Sequence, residues 1–196
     1  MDQPLNEQQS LQIIESMINK AKNNFSENGT LYLFWGFMVL VCCLVQFILL
    51  EVFHYEKSYL IWQLMWLAGV LQIFLIRRKK KYVIVNTYTG EIMKYVWLVF
   101  FGCMVLVIFI LSYFKMFQAI NPMVLVLYGM PTILAGVILK YRLLVIGGLA
   151  CWALSIPAMM VPYSYQLLCI SAAVIFGWII PGFALRKKFH QSILKT

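Results

Sequence analysis

The sequence predicts an all-α fold: a six-helix transmembrane bundle of three antiparallel hairpins, with an N-terminal amphipathic cytoplasmic helix. Three observations predict it. The chain of 196 residues is 63% hydrophobic and only 12% charged, whereas a soluble domain is about half apolar and a quarter charged. Its apolar residues are gathered into six uncharged runs of 18 to 21 residues. Its cations are gathered between alternate runs, above all in Arg77, Arg78, Lys79, Lys80 and Lys81.

The runs are residues 31–50, 59–76, 95–114, 122–139, 143–161 and 165–185, and no charged residue falls inside any of them. A helix of roughly 20 residues crosses about 30 Å of hydrocarbon. A barrel strand would alternate in polarity over about 10 residues, and these runs do not alternate. Tyr32, Tyr59, Tyr95, Tyr113 and Tyr165 mark run ends, with Tyr141 and Tyr163 just outside them. Trp62 and Trp97 also lie near ends. Amphipathic rings gather at both membrane–water interfaces.

The loops fix the orientation. Lys and Arg number two in residues 1–30, six in 77–94, two in 140–142 and four in 186–196. The other three loops hold only Lys57 and Lys115. Cytoplasmic loops carry the excess of cations, so the reading is a plasma (inner) membrane protein with both termini cytoplasmic. Arg77, Arg78, Lys79, Lys80 and Lys81 are the topology-determining residues. The net charge of +9 is then accounted for by topology, and nucleic acid is not an expected partner. The division of the chain follows: a cytoplasmic helix in 1–30, the membrane domain in 31–185 and a basic cytoplasmic tail in 186–196.

Before the first run, Leu11, Ile14, Ile18, Ala21 and Phe25 recur at intervals of three and four. That spacing draws one stripe along a helix, expected over 5–25. Helices that bind anionic lipid by charge are rich in Lys and Arg. Residues 1–30 instead hold Asp2, Glu7, Glu15 and Glu27 against Lys20 and Lys22. Docking on the protein's own inner face or on a partner, through Leu11, Ile14, Ile18 and Phe25, is the expectation. A cleavable leader would put its apolar stretch near the start, and here the first apolar run begins near Leu31. In the third span, Thr87 or Thr89 is expected to cap the helix, with Glu91 in its first turn.

A weak internal echo runs through the spans. Residues 36–41 (Gly-Phe-Met-Val-Leu-Val) resemble 102–107 (Gly-Cys-Met-Val-Leu-Val), and 67–71 (Leu-Ala-Gly-Val-Leu) resemble 134–138 (Leu-Ala-Gly-Val-Ile). With Gly148 and Gly182, these place six glycines toward the cytoplasmic side. Small residues let helix backbones approach closely in lipid, so the bundle is expected to be tightest there.

Chemistry-bearing residues are sparse. All seven carboxylates lie at span edges or in loops, so no buried acid serves proton coupling or paired-acid proteolysis. The five cysteines form no Cys-x-x-Cys pair and there are only two histidines. Four ligands for a tetrahedral metal do not assemble, and neither metal nor cofactor is expected. The reading is therefore not an enzyme. Uncharged groups remain. Gln46 and Gln63 sit at matched depth and are expected to bond across the first hairpin. Ser155 and Ser171 are matched in the same way. The first three spans hold no proline, whereas the last three carry Pro131, Pro157 and Pro181, and each frees a backbone carbonyl. Non-helical backbone at membrane depth lines protein or a wet cavity, so a candidate binding site is placed at Tyr128, Pro131, Thr132, Trp152 and Ser155.

Three stretches carry a resemblance: Glu15-Ser16-Met17-Ile18-x-Lys20-Ala21-Lys22-Asn23, Leu31-Tyr32-Leu33-x-Trp35-Gly36, and Gly129-Met130-Pro131-Thr132-x-x-x-Gly136-x-x-Leu139-Lys140. Together they resemble uncharacterised small six-span bacterial inner-membrane proteins. The resemblance implies a fold and a location but no chemistry. The expected role is a non-enzymatic membrane component that binds a partner at its cytoplasmic face. The alternative is a small facilitator or channel for a neutral or apolar solute.

Overall fold

A computed structural model describes residues 29–79 and 88–193, together with Leu11. Every described element is helical, and no strand occurs among the described residues. The order is α1 (Gly29–Glu51), a 3-10 turn (Ser58–Trp62), α2 (Gln63–Lys79), α3 (Tyr88–Tyr113), α4 (Phe117–Ile138), α5 (Arg142–Ala158) and α6 (Tyr163–Val174). A π-helical turn (Ile175–Ile179) then leads into α7 (Ile180–Ile193). Leu11 is helical and exposed. Ile14, Ile18 and Phe25, Thr87, and Lys80 and Lys81 lie outside the described residues. Arg77, Arg78 and Lys79 form the end of α2.

Among the described residues, four helical segments are long and apolar enough to cross a membrane: Gly29–Glu51, Ile92–Tyr113, Phe117–Ile138 and Tyr163–Lys187. The other two apolar runs make shorter α-helices. The run 59–76 spends its first residues on the 3-10 turn, so α2 starts only at Gln63. The run 143–161 stops at Ala158, one residue after Pro157, and a turn carries the chain to Pro162. The third run gains length instead, because α3 begins at Tyr88, ahead of the apolar stretch.

Three connections use the same device. Lys115 and Lys140 adopt left-handed backbone, with φ of 57° and 51°. After α3, the Met116 amide donates to the Leu111 carbonyl (2.8 Å) and that of Lys115 to Ser112 (3.0 Å). After α4, the Tyr141 amide donates to Gly136 (2.8 Å) and that of Lys140 to Val137 (3.1 Å). These are paired 6→1 and 5→2 closures of a helix C-terminus. A cation in that position also sits at the negative end of the helix dipole. His54, with φ 48°, follows α1 in the same conformation. Glycine usually fills such a site, and its absence from all three is why no glycine signal marked these turns.

Packing is uneven. The core is built chiefly from α1, α4, α5, α6, the π turn and α7, with Met93 and Phe100 of α3 buried against it. Between α4 and α5 the backbones meet: a Cβ built on Gly136 would lie 2.6 Å from the Val145 nitrogen, and one on Gly148 2.9 Å from the Gly129 carbonyl oxygen. On the other side of α5, a Cβ on Gly147 would come within 2.6 Å of the Gly177 Cα in the π turn. Gly36 faces Ile179 and Gly182 faces Leu33, each with room for hydrogen only (2.9 Å). In lipid, helix association depends on such van der Waals contact. By contrast α3 packs chiefly along α4, and α2 chiefly against its own 3-10 turn. A Cβ on Gly69 or Gly102 would meet nothing within 4 Å.

The glycine echo therefore does not repeat in the packing. Gly36 is pressed on Ile179 while its counterpart Gly102 stands open, and Gly136 is pressed on α5 while its counterpart Gly69 stands open. The expectation of a tight glycine-lined side holds for Gly36, Gly136, Gly148 and Gly182 and not for Gly69 and Gly102.

Candidate functional site

The proline-bearing segments bring three of the five candidate residues into the core. Pro131 removes one amide from the hydrogen-bond ladder in the middle of α4. Thr132 is wholly buried. Its hydroxyl donates to the Tyr128 carbonyl (2.7 Å) and accepts from the Trp178 indole N–H (3.0 Å). Tyr128 is buried between Phe100 (stacked, 5.5 Å between centroids) and Trp178 (edge-on, 5.1 Å). Trp178 also meets Trp97 edge-on at 5.8 Å. Edge-to-face and offset pairs at such separations are favourable. Rings from α3, α4 and the π turn thus close the bundle at the level of Thr132. The π turn matters here: one extra residue per turn places Trp178 against Thr132 and leaves Gly177 against Gly147. Such bulges recur at functional sites.

The other two candidates lie apart from that lock. Trp152 is 41% exposed, and its indole donates to the Val126 carbonyl (3.0 Å). Ser155 is mostly buried and bonds back to the Trp152 carbonyl of its own helix (2.7 Å). Ser171 does the same with Leu167 (2.9 Å). Serine in a helix commonly satisfies itself this way. Ser155 also forms part of the wall of a cavity of about 230 Å³ between α4 and α5, with Gln118, Ala119, Pro122, Met123, Val126 and Met159. The five candidate residues are therefore split. Tyr128, Pro131 and Thr132 are packed in the core, Ser155 borders the cavity, and Trp152 sits on the outside of the bundle.

A second polar layer lies nearer the 51–62 and 158–163 turns. The expected pair of Gln46 and Gln63 does not form. The 3-10 turn swings Trp62 inward, and its indole donates to Gln46 Oε1 (2.6 Å), while Gln63 is exposed. The Gln46 amide reaches the Tyr163 hydroxyl at 3.4 Å. Gln166, one turn along α6, donates to the Gln118 carbonyl (3.0 Å) and the Val161 carbonyl (3.4 Å). Proline explains the first bond. Pro122 lacks the N–H that would close on the carbonyl four residues earlier, which is Gln118. The Gln166 side chain takes its place. On the far side of the bundle, Trp35 donates to Gln72 and ties α1 to α2.

Sequence reasoning missed Gln166 and Trp178, and read Trp62 and Tyr163 only as interface markers. Two signals were present: Gln166 is a carboxamide inside an apolar run, and Asn121-Pro122 announces a freed carbonyl. Nothing local marks the π turn. Among the described residues no three His, Cys, Asp or Glu side chains are grouped to hold a metal ion. Of the cysteines, Cys42, Cys43 and Cys151 are buried and Cys103 is exposed on α3. No protein-family model, curated protein or solved structure matches the chain.

Proposed function

We propose that this protein is a six-span component of the plasma (inner) membrane, with both termini cytoplasmic. It acts without catalysis by binding another membrane protein. Six crossings fit the helix lengths. At 1.5 Å per residue, the 17 residues of α5 extend about 25 Å, which a modest local thinning of the bilayer accommodates. The 3-10 turn adds about 10 Å to a similar length of α2. The basic loops supply the orientation.

One observation carries the partner reading. Only 6% of the spanning part of α3 is buried, against 33% for α1 and 56% for α4 and for Tyr163–Lys187. Leu64, Trp66, Leu67 and Val70 of α2, and Val105, Leu106, Phe109 and Ile110 of α3, are exposed. Gly69 and Gly102 leave open notches on these same two helices, and small residues are what membrane helices use to approach one another. The two helices flank the basic stretch that begins at Arg77, so a partner there also meets the cytoplasmic face.

A photo-crosslinking residue tests this in native membranes. At Leu67 or Phe109 it yields a discrete protein adduct, and at Ile146 on α5 it yields lipid adducts only. Deleting residues 1–28 leaves the bundle folded and weakens the adduct. The same lipid-only pattern at all three positions refutes the reading. The facilitator reading draws support from the cavity beside Ser155. It stands second because Thr132 and Tyr128, the residues it would need along a path, are packed among rings.

A further inference from the structure

The cavity between α4 and α5 is a slot, and its shape follows from where the two helices touch. They meet backbone to backbone at Gly136 with Val145 and at Gly148 with Gly129. Trp152 then spans them, its indole bonded to the Val126 carbonyl (3.0 Å). From that level to Phe117 neither helix has a glycine, and the cavity of about 230 Å³ occupies the gap. Gln118, Ala119, Pro122, Met123 and Val126 form one wall, at the spacing of a single stripe along a helix. Ser155 and Met159, four residues apart, form the other.

Gln118 and Val126 are eight residues apart, about 12 Å along the axis. Spread over that length, the volume gives a section of about 20 Å². A helix with its side chains is about 10–12 Å across, a section of about 80 Å² or more, so a partner's helix does not fit. The two polar wall residues have their donors engaged. The Ser155 hydroxyl donates to the Trp152 carbonyl (2.7 Å) and the Gln118 amide to the Val161 carbonyl (2.7 Å). A water needs two to four polar partners, and apolar cavities stay dry. Met123 and Met159 belong both to the wall and to the surface, at 48% and 69% exposure. Unbranched thioethers adapt to an irregular apolar guest. Since α4 is apolar enough to cross a membrane, the slot opens at hydrocarbon depth.

We propose that the slot holds one acyl chain of a bilayer phospholipid, entering from the Phe117 end of α4 and running to the level of Val126. Such a chain is long, one carbon thick and free of polar groups. Inside the slot it exchanges mobile lipid neighbours for fixed side chains, and the gain is dispersion contact. The inference rests on the reading of α4 and α5 as membrane-crossing helices and not on the partner reading.

The test uses the full chain in phosphatidylcholine vesicles that contain phosphatidylcholine with a diazirine midway along one chain. Adducts formed on illumination are mapped by peptide mass spectrometry. Labelling at Ala119, Met123, Val126 and Met159 is expected to exceed that at exposed Phe109 of α3 by about tenfold, the ratio given by about 1.4 kcal/mol. Ala119→Phe fills the slot from α4 and Ser155→Met fills it from α5. Either removes the slot adducts and spares those at Phe109. Equal labelling of the slot and Phe109 in the unsubstituted protein marks passing lipid only and overturns the proposal. Slot labelling that survives both substitutions also overturns it. Labelling at Phe109 with none in the slot refutes the bound chain and leaves the membrane reading standing, whereas labelling of neither refutes both.

Discussion

The helices that carry prolines and two of the helices that lack them, α2 and α3, behave oppositely to what backbone chemistry alone suggests. Pro122, Pro131, Pro157 and Pro181 lie in α4, α5 and α7, where backbones are in glycine-mediated contact. The proline-free pair α2 and α3 stands at the periphery, with Gly69 and Gly102 facing open space. A proline in a membrane helix needs neighbours to satisfy what it frees. Here Gln166 does so for Pro122. The prolines therefore mark the part of the molecule with the most neighbours. An unbroken helix needs none, which leaves α2 and α3 free to face lipid or another protein.

The largest expected effect contrasts two glycines. Gly147→Ala forces a methyl into the backbone of the π turn and costs up to about 3 kcal/mol. Gly102→Ala meets no atom and gains up to about 1 kcal/mol from helix propensity. Thermal unfolding in detergent, followed by tryptophan fluorescence, reads both. Equal effects would erase the distinction between core and periphery. A smaller effect sharpens it: Thr132→Val keeps the shape but leaves the buried Trp178 N–H without an acceptor, at a cost of about 1–3 kcal/mol, and the same fluorescence assay reads it. Smallest are Lys115→Gly and Lys140→Gly. Each relieves a left-handed backbone costing about 1–2 kcal/mol, offset by the greater freedom of glycine when unfolded. A net gain of about 0.5–1 kcal/mol is expected from thermal midpoints, of similar size in both.

Much of the fold was legible because lipid imposes a simple rule. A backbone in hydrocarbon must bond to itself, so uncharged runs become helices, and each of the six runs does contain one. What was not legible depended on partners distant in sequence. Gln46 was expected to find Gln63 by depth alone, but the 3-10 turn offered Trp62 instead. Tyr128 and Thr132 were singled out for their nearness to Pro131, but their surroundings come from Trp178 and Phe100. The echo of Gly36 in Gly102 was real in sequence and absent in packing, because a glycine approaches only what the rest of the fold brings to it.

All of this rests on the number of crossings, and on α2 above all. In a chain whose native cysteines are replaced, Lys57→Cys and Lys94→Cys are labelled in intact cells with a membrane-impermeant maleimide. Crossing by α2 predicts that Lys57→Cys is modified from outside and Lys94→Cys only after the cells are opened. Modification of both from outside would mean that α2 does not span the membrane, and the six-span account would be wrong.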